Sequence, residues 1–352
     1  MKKVLVGMSG GVDSSVTAWL LKERGYEVEG ISFLLWEARA RLNPRTCCSI
    51  EAFETARETA GKIGIRHSTL DVRDEFVEKV IEPFVDEYMK GRTPNPCILC
   101  NRYIKFPILF REAEERGAEF IATGHYARIS GSYEEGFHLL KGIDSSKDQS
   151  YFLYVLKRDW LPKILFPLGE KLKEDVRENA SELSLPSRNR PESVEICFIE
   201  DDYACFIRTL IPDAVKPGPV IGPDGDEIGR HEGLFNFTIG QRRGLNLAWG
   251  EPLYVTRLDP EKNAVHVGYR DEAFKEEMVV SDLNWLEEPV EEVTAKIRSM
   301  MKDEPARLEV LDGGDRARLT FDQPQWGPAP GQAAVFYDGE TVIGGGVISS
   351  AH

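Results

Sequence analysis

Two stretches of this chain carry residue types that do chemistry. The first is "GRTPNPCILCNRYIKFP" (91–107), with Cys97 and Cys100 spaced Cys-x-x-Cys. Thiols at that spacing bind zinc, cycle as a disulfide, or carry sulfur. The second is "SGGVDSS" (9–15), immediately after an apolar N-terminal run. Two glycines let backbone come close to a phosphate, and Ser9, Ser14 and Ser15 add hydroxyl donors. Asp13 suits such an anion site as a magnesium ligand or as a helix cap. No lysine follows, so this is not the G-x-x-x-x-G-K-[ST] loop. A further thiol, Cys197, lies in "EICFIE" among apolar residues and by itself reads as core. Structural zinc is a weak option, because no second close Cys-x-x-Cys or Cys-x-x-His supplies the remaining ligands.

The elements that must position these residues form an α/β pattern. Residues 2–8 read as a buried strand and 16–24 as a helix with apolar residues at helical spacing, stopped by Gly25. A strand over 27–33, a helix over 50–63, a short strand at 66–70 and a later one over 119–127 continue the alternation. Strands separated by helices predict a parallel sheet with right-handed crossovers. The loop at 9–15 then lies outside the carboxyl end of the first strand, where open α/β sheets bind ligands. Residues 144–210 read as mostly helical. The Pro- and Gly-rich run 212–233 marks a boundary, beyond which short alternating strands predict small β-barrel-type domains, with Asp338 and Gly339 in a hairpin turn. The expected organisation is a catalytic domain over 1–143, a helical extension over 144–211 carrying Cys197, a central small β domain over 212–283 and a C-terminal β-barrel domain over 284–352.

The run "GMSGGVDSS" resembles the PP-loop of the ATP pyrophosphatase superfamily, whose members transfer AMP from ATP to a substrate oxygen. The resemblance implies a nucleotide site at Gly7, Met8, Ser9, Gly10, Gly11, Val12, Asp13 and Ser14, with Phe33 and Gly124 beside the adenine and ATP with Mg²⁺ as cofactors. The ordered set "GRTPNPCILCNRYIKF", "ATGHYAR", "DSSKDQSYFLY", "EICFIEDDYACF", "FTIGQRRGL" and "PGQAAVFYDGETVIGGGVI" is further similar to the bacterial tRNA-specific 2-thiouridylases over almost the full length. That family adenylates the wobble uridine at carbon-2 and replaces the oxygen by sulfur. The resemblance implies that Asp13, Cys100 and Cys197 are catalytic. It also places Asn95, Pro96, Cys97, Lys147, Asp148, Gln149, Arg298 and Ser299 against tRNA. A ligase that installs nitrogen, or an RNA-binding module without catalysis, are the competing functions; no glutaminase half accompanies the loop.

Family members often carry aspartate where this chain has Cys97. Two sulfur mechanisms follow. In one, Cys197 bears a persulfide that Cys100 resolves, with Cys97 a bystander or disulfide partner. In the other, Cys97, Cys100 and Cys197 ligate a [4Fe–4S] cluster whose open iron holds hydrosulfide; an extra thiol at 97 has little other use and tilts the balance to the cluster. The sulfur donor is a persulfide carrier protein or sulfide. Cys47, Cys48 and Cys205, and the lone His67, His138 and His266, read as structural; His125 falls near the nucleotide without a defined role.

A formal net charge of -15 argues mildly against a nucleic-acid partner. Basic residues nevertheless gather beside the motifs, in "NRYIK", "SRNRP" and "GQRRG". No apolar run approaches a membrane span and no signal-peptide pattern opens the chain, so the expected location is cytoplasmic, with no membrane partner.

Overall fold

The computed structural model describes residues 1–36, 50–190, 196–199 and 202–352. Cys47 and Cys48 lie outside the described residues. The chain divides into two compact units: 1–80 with 96–200 and 340–342, and 81–95 with 201–339 and 343–352.

The first unit is built on a parallel sheet, as the alternating pattern predicts. It contains β1 (Lys3–Gly7), α1 (Val12–Glu23), β2 (Glu27–Leu34), α2 (Ile50–Ile63), β3 (Arg66–Asp71) and α3 (Arg73–Phe76). After α4 (Glu82–Met89), which belongs to the second unit, come α5 (Pro96–Cys100), a π-turn at Asn101–Lys105, α6 (Phe106–Glu115) and β4 (Phe120–Ala122). The hairpin β5 (Ala127–Ser132) and β6 (Gly136–Lys141), the short β7 (Ile164–Leu165) and α7 (Lys173–Glu182) complete the unit. The sheet order is β3-β2-β1-β4-β7. β1 is central, pairing in parallel with β2 (Val6↔Gly30) and β4 (Val6↔Ala122). Val4, Leu5 and Val6 are all buried, as a strand covered on both faces requires. Val16, Ala18 and Leu21 of α1 pack with Ala56 and Ala60 of α2 into this core.

Two stretches depart from the sequence pattern. The strand expected over 119–127 ends at Ala122, and the antiparallel hairpin begins at Ala127. Between them the backbone must pass close to α1: a Cβ on Gly124 would lie 2.9 Å from Asp13 C and Ser14 N. The helical reading of 144–210 also gives way in its first half to 3₁₀ turns at Ser150–Phe152 and Arg158–Lys163. Tyr151, Leu153, Tyr154 and Leu156 are all buried there, too many directions for one helical face.

In the second unit, α8 (Tyr203–Leu210) precedes β8 (Gly218–Ile221), β9 (Glu227–His231), β10 (Tyr254–Asp259) and β11 (Ala264–Gly268), a sheet of order β10-β11-β8-β9. Tyr88 of α4 stacks on Tyr203 at 4.6 Å. β12 (Phe274–Trp285), β13 (Glu292–Lys296), β14 (Glu304–Leu311), β15 (Arg316–Trp326), β16 (Ala333–Asp338) and β17 (Thr341–Ala351) form a barrel, as the strand alternation predicts, but its first strand starts at Phe274 and crosses the boundary expected between 283 and 284. They run in the order β12-β15-β14-β13-β16-β17 and close through β12–β17, which leaves no open edge among them. Gly339, at φ +56°, makes the tight turn between β16 and β17.

Candidate active site

The glycine loop lies where β1 hands over to α1. Met8 N–H donates to Ile31 O at 2.8 Å, which continues the sheet to the loop's edge. Gly10 turns the chain at φ +75°, and a Cβ there would sit 2.1 Å from Ala52 O. Only glycine fits. Ser14 Oγ accepts from Ser9 N–H at 3.1 Å and donates to Gly11 O at 3.2 Å, while Ser15 Oγ donates to Gly11 O at 2.8 Å. Gly11 is the N-cap of α1 and no side chain caps it. The first turn of α1 therefore presents N–H groups and the positive end of the helix dipole beside an exposed Ser9, an arrangement suited to phosphate. Phe33 is half-buried at the carboxyl end of β2, and Gly124 packs on the Asp13–Ser14 backbone, so the structure brings both to the loop's surroundings.

Asp13 is used neither as a cap nor as an open carboxylate. Lys173 Nζ, from α7, lies 2.7 and 2.8 Å from its two oxygens, and Tyr126 OH donates to Oδ1 at 2.8 Å. Tyr126 is itself held on both sides by Gln149: Tyr126 N–H donates to Gln149 Oε1 at 3.0 Å, and Gln149 N–H donates to Tyr126 O at 2.9 Å. Asp148 accepts from Gly142 N–H, Ser150 N–H and Ser150 Oγ. Asp148 and Gln149, expected against tRNA, thus have internal work that fixes Tyr126 and its neighbours. Lys173 and Tyr126 were not visible as site residues in the sequence.

His125 follows Gly124. Its Nδ1 lies 2.7 Å from Thr123 Oγ1 and its Nε2 3.5 Å from Lys105 Nζ. The half-buried ring stacks on Phe106 (5.9 Å between centroids) and meets Phe166 edge-on at 6.0 Å. Desolvation, then the charge of Lys105, push its pKa well below the ordinary histidine value, so the imidazole is neutral at neutral pH. A lysine ammonium only donates. Nε2 must therefore accept and Nδ1 carry the proton toward Thr123.

The thiols are placed unequally. Cys97 is exposed, Cys100 is buried at the end of α5, and Cys197 is intermediate. Among the described residues no three His, Cys, Asp or Glu side chains come together as a group able to hold a metal ion. Cys97, Cys100 and Cys197 as they stand do not gather into the three-thiol group that the [4Fe–4S] expectation needs. Exposed Tyr103, with the Arg102 guanidinium 5.4 Å from its ring centre, lies on the same stretch. In the second unit Arg242 and Arg243 are exposed, whereas Arg298 is half-buried and its Nη2 donates to Ile239 O and Gly327 O, with Ser299 beside it. Arg298 therefore ties two loops together. Among the described residues no helix is long and apolar enough to cross a membrane.

The sequence has close relatives among known proteins. The tRNA-specific 2-thiouridylase MnmA 1 of Caldanaerobacter subterraneus subsp. tengcongensis is 47% identical over 98% of this chain and 97% of its own length. The chain belongs to the tRNA-specific 2-thiouridylase family. Another 2-thiouridylase, from Carboxydothermus hydrogenoformans, is 46% identical over 99% of the chain and 97% of its own. A third, from Acetivibrio thermocellus, is 45% identical over 99% of both. Three domain families match in succession: the tRNA methyl transferase HUP domain over residues 2–201, the tRNA methyl transferase PRC-barrel domain over 205–269 and the aminomethyltransferase beta-barrel domain over 275–348. In this 2-thiouridylase family member the glycine loop, Gly124, Cys100 and Cys197 all fall within the first of these.

Proposed function

We propose that this protein thiolates the wobble uridine of tRNA at carbon-2, using ATP. The observation that carries the reading is the pairing, within one unit, of an uncapped Gly-Gly helix N-terminus fit for phosphate with Cys100 and Cys197, in a chain alike to 2-thiouridylases end to end. The uridine O2 attacks the α-phosphorus of ATP. An O–P bond forms, pyrophosphate leaves with the electrons of the broken bond, and the N3 proton passes to solvent. A carbonyl oxygen has become a phosphate ester and thereby a competent leaving group. The outer sulfur of a persulfide on Cys197 then attacks carbon-2, and AMP departs with the C–O electron pair. Cys100 thiolate attacks the inner sulfur, which releases 2-thiouridine and leaves a Cys100–Cys197 disulfide for a dithiol reductant to reopen.

Ser9 to Ser14 would cradle the phosphates, with Phe33 and Gly124 at the adenine. Because Lys173 and Tyr126 occupy the Asp13 carboxylate, Mg²⁺ fits here as an ion carried on the ATP phosphates. No step is assigned to an iron–sulfur cluster. Asn95, Pro96, Cys97 and Lys147 belong to the segments we assign to tRNA, with Arg242 and Arg243 supplying phosphate contacts.

The test is nucleoside analysis of tRNA incubated with the protein, ATP, Mg²⁺ and either a persulfide donor or ammonia. The reading expects 2-thiouridine and AMP in the sulfur arm, with Cys100→Ala and Cys197→Ala inactive and Cys97→Ala retaining most activity. A modified base in the ammonia arm alone, or activity in Cys197→Ala, would overturn it.

A further inference from the structure

Lys105 stands out among the cations near the glycine loop. Lys173 is cancelled by Asp13, but the hydrogen-bond partner of half-buried Lys105 is the neutral imidazole of His125, and among the described residues no carboxylate lies within 4 Å of its ammonium. Its location is set twice. β4 pairs beside β1, so the loop after β4 runs next to the glycine loop, and His125 directly follows the glycine that touches Asp13 and Ser14. Lys105 also sits at the end of the π-turn that follows Cys100. In an α-helix, residues five apart point about 140° away from each other. A π-turn bonds residue i to i+5 and returns the fifth residue toward the face of the first. Lys105 thus closes the turn that Cys100 opens, five residues further along the chain. A cation that reaches the residue after Gly124, sits on the segment that carries Cys100 and is held by a group that does not neutralise it suits the phosphate of a nucleotide on the glycine loop.

We propose that Lys105 is a catalytic residue that binds the α-phosphate of ATP and stays on that phosphate through adenylation of the base and departure of AMP, with His125 as its positioning residue. This rests on the thiolation reading above. Lys105 forms and breaks no covalent bond. It opposes the charge that builds on the α-phosphoryl oxygens as pyrophosphate leaves, and again as the C–O electron pair moves onto AMP. Positioned donors of this kind typically contribute a hundredfold or more to such steps. The neutral His125, with its Nδ1 proton turned toward Thr123, accepts a hydrogen bond from the ammonium at Nε2 and leaves the other two N–H groups of Lys105 for the phosphate.

The experiment is ATP–pyrophosphate exchange in the presence of a tRNA transcript, which reads adenylation without sulfur, run beside 2-thiouridine formation on the same samples. Lys105→Met should lower the exchange kcat by about a hundredfold while the KM for ATP moves less than about tenfold; Lys105→Arg should recover part of the loss. Ethylammonium added to Lys105→Ala should restore exchange in proportion to its concentration, a response that a packing defect does not give. His125→Gln, whose amide oxygen can accept from Lys105, should exceed His125→Leu in exchange. Melting curves identify any variant that fails to fold, and Lys105→Gln replaces Lys105→Met in that event. Exchange by the folded Lys105 variant within threefold of the unsubstituted protein would overturn the assignment. Unsubstituted protein that exchanges pyrophosphate but never yields 2-thiouridine would instead overturn the thiolation reading, and the Lys105 variants would still decide the phosphate contact.

Discussion

Removing Lys173 isolates what the Asp13 clamp contributes. Its ammonium meets both carboxylate oxygens at 2.7 and 2.8 Å, and the side chains are 10% and 34% exposed. A fully buried pair that loses one partner costs about 3–5 kcal/mol, and an exposed pair about 0–1 kcal/mol. With a third of the Asp13 side chain in water, Lys173→Met should cost about 2 kcal/mol, close to the value of a charge-assisted hydrogen bond. Asp13→Asn keeps the acceptor for Tyr126 but removes the carboxylate charge that Lys173 Nζ meets, and should cost a similar amount. The double variant has no stranded charge, so the cycle should return a coupling of about 1–2 kcal/mol. Urea unfolding of the four proteins, followed by a probe in the first unit, measures it. A coupling under about 0.5 kcal/mol would refute the argument that this pair is a structural clamp. The same proteins separate two roles of Asp13. If Lys173 is its partner during turnover, Asp13→Asn should lower adenylation without changing the Mg²⁺ concentration at half-activity. A tenfold rise in that concentration would make Asp13 a magnesium ligand.

Other outcomes follow from named contacts. Gly124→Ala should force the glycine loop to shift, since its Cβ would press on Asp13 and Ser14 at 2.9 Å; the expected cost is about 1–3 kcal/mol in unfolding, with a raised KM for ATP. Arg242→Ala with Arg243→Ala should weaken tRNA binding and flatten its salt dependence while ATP affinity stays constant, because phosphate contacts release counterions. Stability should fall as the pH drops below about 6.5, because the unfolded chain protonates His125 and His67 there while burial, with Lys105 and Arg57 respectively, lowers the pKa of both in the folded protein, that of His125 the further. The loss continues down to the folded values and then stops. His125→Gln should remove part of it, on the order of 1 kcal/mol between pH 7 and 5.5, in denaturant titrations at the two pH values.

The parts of the site that were legible in the sequence are those whose residue type is dictated by backbone. Gly10 must adopt a positive φ against Ala52, and "SGGVDSS" announces that need over seven consecutive residues. The barrel was legible for a similar reason, since strand alternation and an Asp-Gly turn are local signals. Lys173 was not, because it meets Asp13 across 160 residues of sequence and sits in "KLKEDVRENASEL", which reads as a solvated charged face. The π-turn at Asn101–Lys105 was equally hidden: one extra residue per turn leaves no periodic trace in five residues. His125 could be placed near the nucleotide but given no role, as its neutrality comes from Phe106, Phe166 and Lys105 closing around it. Cys97 misled, because Cys-x-x-Cys spacing says nothing about whether a third thiol comes near enough to complete a cluster.

The same contrast resolves the acidic balance of the chain. A formal charge of -15 spreads over the whole surface, and at physiological salt such charges are screened beyond about 8 Å. What an incoming polyphosphate meets is local. At the glycine loop Asp13 is paired with Lys173, the imidazole of His125 is neutral, and in the assignment proposed above Lys105 adds one positive charge to the dipole of α1. Glu29, the buried carboxylate of β2, lies toward the opposite end of the strands, where Lys3, Arg66 and Arg116 hold it. Burial alone would raise its pKa, and the hydrogen bonds from Arg116 and Lys3 more than offset that, so it stays ionised without facing the ligand end. The sheet thus keeps its compensated anion at the amino ends of its strands and its uncompensated cation at the carboxyl ends. An acidic protein can in this way hold ATP and present its α-phosphate to RNA, because the sign that matters is set within a few ångströms of Lys105.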